Sequence, residues 1–171
     1  ECPQTICLKK LLELIPHGDL YGKAMGIAME DDISGNLTLA FSMLKVTEDG
    51  LDGSFDSRCP VCATEENVLK VVRRQMEKIG LTLHNDAMKP PHHVAGDSVF
   101  VRTLLKEYEA FTGRKGECLF TGGGTYVHAL KNGVAFGAAM PGTDNRMHGA
   151  DEFAVLDDLL VSAKIFAQVI V

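Results

Sequence analysis

The sequence predicts an α+β fold in which helices and strands alternate along the chain. Apolar residues alternate with polar or small ones over residues 37–46, which is the pattern of a half-buried strand. Apolar residues recur at helical spacing behind Thr64 and again behind Ser98. With 171 residues and 46% hydrophobic content, the chain is long enough to bury the core of one ordinary domain or two small ones.

The first 90 residues predict most of one known supersecondary unit. The predicted elements, in chain order, are a helix through Leu12 that stops near Pro16, strands at 37–46 and 51–59 joined by a turn at Asp49-Gly50, a helix capped by Thr64 that ends at Gly80, and a strand at 81–88. From residue 37 onward the order is strand, strand, helix, strand, which is a split β-α-β unit without its first strand-helix pair. A ferredoxin-like domain would show this order if its sequence were read from within its first helix onward.

The paired prolines Pro90-Pro91 predict a linker between a region 1–90 and a region 91–171, because they hold the backbone extended. The second region predicts both helices and strands. Its expected elements are a helix from Asp97 or Ser98 to Gly113, a strand at 118–120, a short helix through Leu130, a buried strand at 133–140, and a final helix from Asp157 that buries some of Leu160, Ala163, Phe166 and Ile170.

Charge and cysteine content exclude several functional classes. The net charge is −6 without a basic cluster, which argues against a nucleic-acid partner. No apolar run reaches the roughly 20 residues needed to cross a bilayer, so a membrane partner is not expected. Five cysteines are an odd number and favour free thiols in a reducing cytoplasm. Glu1 in place of an initiator Met suggests a chain cut from something longer.

The glycine run from Thr121 to Thr125 is the first candidate binding feature. Gly122, Gly123 and Gly124 let backbone N–H groups approach a ligand closely, and the start of the helix predicted behind them favours an anion. The run lacks the Lys-Ser/Thr of a P-loop and the second glycine spacing of a dinucleotide site. A carboxylate or small oxyanion fits better, and the alternative is a tight turn with no ligand.

His148 is the candidate metal ligand. It stands in a loop beside Asp151 and Glu152, and a carboxylate can orient the imidazole ring for ligation. A zinc site needs at least three protein ligands, so a solvent-facing loop histidine is the alternative.

Other chemically suggestive patterns have simpler interpretations. Cys59 and Cys62 have the spacing of a redox or zinc pair but lack a second such pair, so coincidence is favoured. The triplets His17-Gly18-Asp19 and His84-Asn85-Asp86 are interpreted as surface residues. The run Glu30-Asp31-Asp32 predicts a solvated acidic turn.

One ordered series of motifs resembles a known family. The series is Gly122-Gly123-Gly124-Thr125-Tyr126, Gly133-Val134-Ala135-Phe136-Gly137, Pro141-Gly142, Met147-His148 and Asp151-Glu152-Phe153. It is similar to the C-terminal end of the PepV-like bacterial dipeptidases, which belong to the dinuclear-zinc peptidases together with carnosinases and aminoacylases. The similarity extends backward through Gly96-Asp97-Ser98 and reaches Arg58-Cys59-Pro60, and it continues more weakly to residues 22–28 and 35–38.

This resemblance implies a zinc-dependent hydrolase of dipeptides of which the chain is only a part. In the family, a ferredoxin-like lid is inserted into an α/β catalytic domain that holds two zinc ions. Residues 1–90 would be the later part of the lid and 91–171 the C-terminal part of the catalytic domain. Most metal ligands and the general-base Glu lie in the family's N-terminal half. The chain would then contain no catalytic residue of its own and would need that missing part as its partner.

Carried over residue by residue, the resemblance assigns three features. His148 matches the family's C-terminal zinc ligand, and Arg58 matches the lid arginine that meets the substrate carboxylate. Gly122, Gly123, Gly124 and Thr125 match the glycine loop on the carboxylate side. His128 departs from the family, whose members tend to have Arg there, so the contact would be pH-dependent or lost. The alternative is a non-catalytic relative whose lid serves protein association, such as pairing into a homodimer.

Overall fold

The computed structural model describes residues 2–85, 87–137 and 139–171, which form two compact units. The first unit extends to His93 and includes Phe120–Gly123, and the second comprises Val94–Leu119 and Gly124–Val171. All five cysteines are free thiols. Within the described ranges, no helix combines the length and the apolar character needed to cross a membrane. The expectations that concern Glu1 and Asp86 lie outside the described residues.

The first unit contains two helices and two small antiparallel sheets. Its elements are α1 (Pro3–Leu14), β1 (Glu30–Asp31), β2 (Gly35–Asn36), β3 (Thr38–Val46), β4 (Leu51–Arg58), a π-helical turn (Glu65–Leu69) and α2 (Lys70–Lys78). β1 pairs with β2, and β3 pairs with β4. The predicted first helix, the predicted hairpin and the predicted helix behind Thr64 are therefore confirmed.

Thr64 begins the second helical segment as the sequence predicts. Its hydroxyl accepts a hydrogen bond from the Asn67 N–H at 3.2 Å, and the Asn67 side chain accepts one from the Thr64 N–H at 2.7 Å. This reciprocal pair satisfies two N–H groups that a helix start otherwise leaves without partners. Gly80, with φ at +82°, follows the helix in the left-handed conformation that glycine adopts easily.

The strand predicted at 81–88 is wrong for the residues that the structure describes there. Leu81 and Leu83 pack against the core, but residues 81–85 and 87–88 form no strand. Side chains bind this backbone instead. Arg73 Nη2 donates to the Asn85 carbonyl at 3.0 Å, and the Met88 N–H donates to Glu65 Oε1 at 3.3 Å. The alternating pattern identified leucine side chains that pack against the core. It does not show whether another strand is available to pair with this segment.

A β-bulge at Ser42 changes which residues of β3 face the core. β3 pairs in step with β4 up to Phe41 and again from Met43, so no residue of β4 lies directly opposite Ser42 in the register. The extra residue turns Met43 to the face opposite Phe41 and brings Leu44 to the face of Phe41. Met43 is accordingly 67% exposed. Strict alternation predicted that Met43 would be buried, and that prediction is wrong.

The core of the first unit joins the hairpin to both helices and to the loop between α1 and β1. Its buried members are Leu11, Met25, Ile27, Leu37, Leu39, Ala63, Val68, Val72 and Met76. The loop residues Met25 and Ile27 are among the most deeply buried side chains, although the sequence assigned no element to them. Irregular backbone therefore supplies part of the core.

Asp19 shapes the loop that carries Met25 and Ile27. Its carboxylate accepts hydrogen bonds from the N–H groups of Ala24 at 2.8 Å, Lys23 at 3.1 Å and Tyr21 at 3.2 Å. These bonds, that of Ala24 first, lower the pKa of Asp19. At Gly22, where φ is +68°, a Cβ would lie 2.6 Å from the Ile27 side chain. Only glycine fits at that position of the loop.

The second unit is built on two helices, α3 (Val99–Thr112) and α4 (Leu156–Ile170), with a short 3-10 helix (Tyr126–Ala129) between them in the chain. α3 packs against α4. The Ser98 hydroxyl accepts a hydrogen bond from the Val101 N–H at 3.3 Å, and Gly113 ends α3 with φ at +66°. The predicted boundaries of this helix are confirmed.

The two strands predicted in the second region are wrong. Residues 118–120 form no strand, and neither do residues 133–137 and 139–140; Ala138 lies outside the described residues. A short apolar run is compatible with a strand, but it does not form one without a partner to bond its backbone.

α4 buries a different face from the one predicted. Ser162 and Ile165 are its buried residues, whereas Leu160, Ala163, Phe166 and Ile170 are exposed. The Phe166 ring still meets Phe136 edge to face, with centroids 5.5 Å apart. Apolar residues lie on nearly all sides of α4, so its periodicity did not identify one face.

The burial pattern predicts unequal effects of two leucine truncations. Leu37→Ala should lower the free energy of unfolding by about 2–5 kcal/mol, because Leu37 is 0% exposed and its removal leaves a cavity. Leu44→Ala should cost less than about 1 kcal/mol, because Leu44 is 42% exposed. Urea unfolding followed by circular dichroism measures both variants, and equal losses would contradict the assignment of the core.

Candidate functional site

Two of the predicted substrate-binding residues, Arg58 and Gly122, lie together in the first unit. Arg58 is the last residue of β4 and is exposed. A Cβ on residue 122 would lie 3.7 Å from Arg58 Cγ and 3.9 Å from Arg58 Cβ. Gly122 is therefore a close neighbour of the aliphatic part of Arg58, and Arg58 is an exposed residue.

The segment that carries Gly122 is anchored beside β2. The Phe120 ring lies 3.4 Å from where a Cβ on Gly35 would be, which is ordinary van der Waals contact. The Gly123 N–H donates to the Thr121 hydroxyl at 3.1 Å, closing a small turn. An arginine fork beside glycine backbone suits a planar anion, because the guanidinium can donate two parallel hydrogen bonds to a carboxylate.

The rest of the predicted glycine loop belongs to the second unit. Gly124 and Thr125 are exposed, and Thr125 precedes the 3-10 helix of Tyr126–Ala129. The helix predicted to run through Leu130 is thus only a single turn. A single turn aligns few peptide dipoles, so it contributes little to the anion binding expected at a helix start.

His148 lies in a loop of the second unit with an unusual backbone. Three residues other than glycine adopt the left-handed conformation within six positions, namely Arg146 at φ 56°, His148 at φ 63° and Asp151 at φ 58°. Each such residue costs on the order of 1 kcal/mol and persists only where surrounding contacts impose it. Concentrated strain of this kind is typical of functional loops.

Short-range hydrogen bonds hold the His148 loop in this conformation. The Gly149 N–H donates to the Arg146 carbonyl at 2.7 Å, and the Phe153 N–H donates to the Asn145 carbonyl at 3.2 Å. The His148 N–H donates to Glu152 Oε2 at 3.3 Å. The Glu152 carboxylate therefore holds the backbone of His148 in place. His148 itself is an exposed residue.

The described residues do not assemble a metal site by themselves. Across the described ranges, no three or more His, Cys, Asp or Glu side chains lie close enough to hold a metal ion. His148 can serve as one ligand, because it is exposed and neutral imidazole is a common metal ligand. Any further ligands for such an ion lie elsewhere.

Asp31 is more than the solvated acidic residue that the sequence predicted. Its Oδ1 accepts hydrogen bonds from the N–H groups of Ser34 at 2.6 Å and Ile33 at 3.0 Å, and from the Ser34 hydroxyl at 2.9 Å. Its Oδ2 accepts one from the Cys62 N–H at 2.9 Å. These donors, the Ser34 N–H first, hold the pKa of Asp31 well below its usual range.

The network around Asp31 also bears on Cys59 and Cys62. Desolvation of the thiol, followed by the nearby Asp31 carboxylate, raises the pKa of Cys62. A reactive or metal-binding cysteine needs the opposite shift. Coincidence stays the interpretation of the Cys59 and Cys62 spacing. The Asp-x-x-Ser spacing of Asp31 and Ser34 is the sequence pattern of a turn held by its own side chains. That pattern does not show that Cys62, 31 residues later, donates a hydrogen bond to Asp31.

Comparison with known proteins gives several relatives that are named dipeptidases or putative dipeptidases. No protein-family model matches the chain. A protein of Bacillus subtilis named "Putative dipeptidase YtjP" is 40% identical over 154 residues, which are 90% of this chain and 33% of that protein. The "Beta-Ala-Xaa dipeptidase" of Lactobacillus delbrueckii is 37% identical over 157 residues, 91% of this chain and 33% of that protein. The chain thus spans about a third of the length of these curated relatives.

The bonding of Asp31 predicts a specific dependence of stability on pH. A carboxyl group whose pKa is lower in the folded than in the unfolded chain stabilises the fold above its unfolded pKa of about 3.9. That contribution is lost as the pH falls through the folded value. Asp31→Asn should therefore be less stable than the wild type at neutral pH, and the difference should shrink below about pH 4.

Urea unfolding measured at a series of pH values tests this dependence. Asp32→Asn is the matched control, because Asp32 is the exposed neighbour in the same turn. A stability difference between Asp31→Asn and the wild type that stays constant with pH would show that the carboxylate charge is not what stabilises the turn.

Proposed function

We propose that this chain is the C-terminal part of a zinc-dependent dipeptidase of the PepV-like type. The observation that carries the proposal is the proximity of Arg58 to Gly122, which brings an exposed arginine beside a glycine loop. The relatives at 37% and 40% identity, both named dipeptidases, support peptide hydrolysis as the activity. Two zinc ions in the complete enzyme are part of the proposal.

Arg58 and Gly122 hold the C-terminal carboxylate of the dipeptide. The guanidinium is planar, permanently charged and able to donate two hydrogen bonds to the two carboxylate oxygens. Gly122 brings a backbone N–H close to the same place, since a Cβ at that position would lie 3.7 Å from Arg58 Cγ, within van der Waals contact. A free carboxylate is what distinguishes a dipeptide from an internal peptide segment, so this pair determines substrate class.

His148 contributes one ligand to the metal centre. Glu152 accepts the His148 N–H, and the left-handed backbone at His148 fixes the direction in which its side chain leaves the loop. A bound zinc centre supplies Lewis-acid polarisation of the peptide carbonyl and lowers the pKa of its water. The general base and the remaining ligands come from the part of the enzyme outside this chain. We place residues 1–90 in the lid and 91–171 in the catalytic domain, in a cytoplasmic enzyme.

Substitutions of Arg58 and His148 in the full-length enzyme should have different kinetic effects. Arg58→Ala should raise KM for a dipeptide about 10- to 100-fold with a smaller change in kcat, because it removes charge-assisted hydrogen bonds to the substrate. His148→Ala should lower both the zinc content and kcat, because it removes a metal ligand. Steady-state kinetics and metal analysis of the purified variants distinguish the two effects.

Exposed residues of the same type provide the controls for these two substitutions. Arg102→Ala on α3 and His17→Ala should leave KM, kcat and zinc content unchanged, because neither residue belongs to the proposed site. Wild-type kinetics in both Arg58→Ala and His148→Ala would refute the assignment of these residues.

The 171-residue chain by itself should neither retain zinc nor cleave dipeptides. A single histidine is too few ligands for a catalytic zinc ion, which needs about three from the protein. Dialysis against zinc followed by metal analysis and a dipeptidase assay measures both properties. Stoichiometric zinc together with turnover in the chain alone would contradict the proposal.

A further inference from the structure

The turn between β1 and β2 touches both chain segments that form the Arg58 and Gly122 pair. We infer that Asp31, acting with Ser34, is a positioning residue that holds Arg58 in register with Gly122 for binding of the substrate carboxylate. The inference rests on the proposed function of that pair. It adds a residue that lies outside every motif that identified the site.

Asp31 and Ser34 bind the segment that directly follows Arg58. The Cys62 N–H donates to Asp31 Oδ2 at 2.9 Å, and the Val61 N–H donates to Ser34 Oγ at 2.8 Å. The Ser34 hydroxyl in turn donates to Asp31 Oδ1 at 2.9 Å. Two consecutive N–H groups beyond the end of β4 are therefore held by one linked pair of side chains.

The segment after Arg58 is held from its other side as well. Pro60 is fully buried, and the Cys62 carbonyl accepts a hydrogen bond from Asn67 Nδ2 at 3.1 Å. Asn67 is the residue that caps the following helix together with Thr64. With its N–H on Asp31 and its carbonyl on Asn67, Cys62 has little freedom to move. Any displacement of the Asp31 turn is therefore transmitted to the end of β4.

The same turn contacts the segment that carries Gly122. Gly35, the first residue of β2 directly after the turn, lies close to the Phe120 ring, with 3.4 Å between the ring and the position of a Cβ. Phe120 and Gly122 belong to one short segment of the first unit. The turn therefore contacts both segments, by hydrogen bonds to the one that follows Arg58 and by the Phe120 ring to the one that carries Gly122.

The chemistry of the turn explains why a carboxylate is needed at position 31. β1 and β2 have two residues each, so their ladder provides few hydrogen bonds to shape the turn. An ionised carboxylate accepts several donors at once, and each such bond is stronger than a bond between neutral groups. An amide in its place offers one acceptor oxygen and presents N–H donors to the other backbone N–H groups.

Kinetics of the full-length enzyme can separate positioning from a general structural effect. The variants are Asp31→Asn, Ser34→Ala, Arg58→Ala and the double variant Asp31→Asn/Arg58→Ala, with Asp32→Asn as the control. For each variant, KM and kcat are measured for a dipeptide. Ki is measured for the same dipeptide with a C-terminal amide, used as a competitive inhibitor, because the amide lacks the group that Arg58 binds.

Asp31→Asn should raise KM for the dipeptide about tenfold, because it weakens about one charge-assisted hydrogen bond to the substrate. The kcat and the Ki of the amide should change less than about twofold. Ser34→Ala should act in the same direction. In the double variant, Asp31→Asn should add nothing to the effect of Arg58→Ala, because Asp31 acts through Arg58. Asp32→Asn should match the wild type.

Three outcomes would overturn the inference: equal weakening of dipeptide and amide binding, an effect of Asp31→Asn that persists without Arg58, or no effect in either Asp31→Asn or Ser34→Ala. If Asp31→Asn does not fold, Ser34→Ala carries the same comparison alone. Failure of the proposed function is distinguishable, because Arg58→Ala itself would then leave the ratio of dipeptide KM to amide Ki unchanged.

Discussion

The arrangement of the first unit depends on one carboxylate that bonds two separate parts of the chain. Asp31 satisfies the N–H groups of its own turn and also that of Cys62, which follows β4. Backbone N–H groups that leave water need a partner, and an ionised acceptor is among the strongest available. The short strands β1 and β2 could not hold that turn by their ladder alone. Pairing with Thr38 places Arg58 at the end of β4, and the bond from Cys62 to Asp31 holds the segment that follows it.

The second unit holds its candidate residue by a different physical means. Around His148, three residues other than glycine adopt the left-handed backbone conformation, which is energetically unfavourable for them. Local hydrogen bonds maintain this conformation. Strained backbone directs a side chain more firmly than a relaxed loop, since few alternative conformations remain. The two candidate features therefore differ in origin: Arg58 depends on contacts between distant segments, and His148 on its immediate neighbours.

The predictions that succeeded all concern signals confined to a few adjacent residues. Thr64, Ser98 and Gly113 mark helix boundaries because their hydrogen bonds or dihedral angles involve only the neighbouring turn. The predictions that failed concern strands at 81–88, 118–120 and 133–140 and the buried face of α4. Strand formation needs a partner from elsewhere in the chain, and a helix that is apolar on most sides does not specify its own packing. The bulge at Ser42 likewise arises from pairing with β4.

The sequence by itself determined the helix ends, the β3–β4 hairpin and the identity of the candidate residues Arg58, Gly122 to Thr125 and His148. Only the tertiary structure decided that Arg58 lies along Gly122 and that Asp31 is bonded to Cys62 rather than to water. Local patterns state which groups need partners, because that need follows from covalent chemistry. Which distant group meets the need depends on how the core brings the segments together, and no short stretch of sequence contains that information.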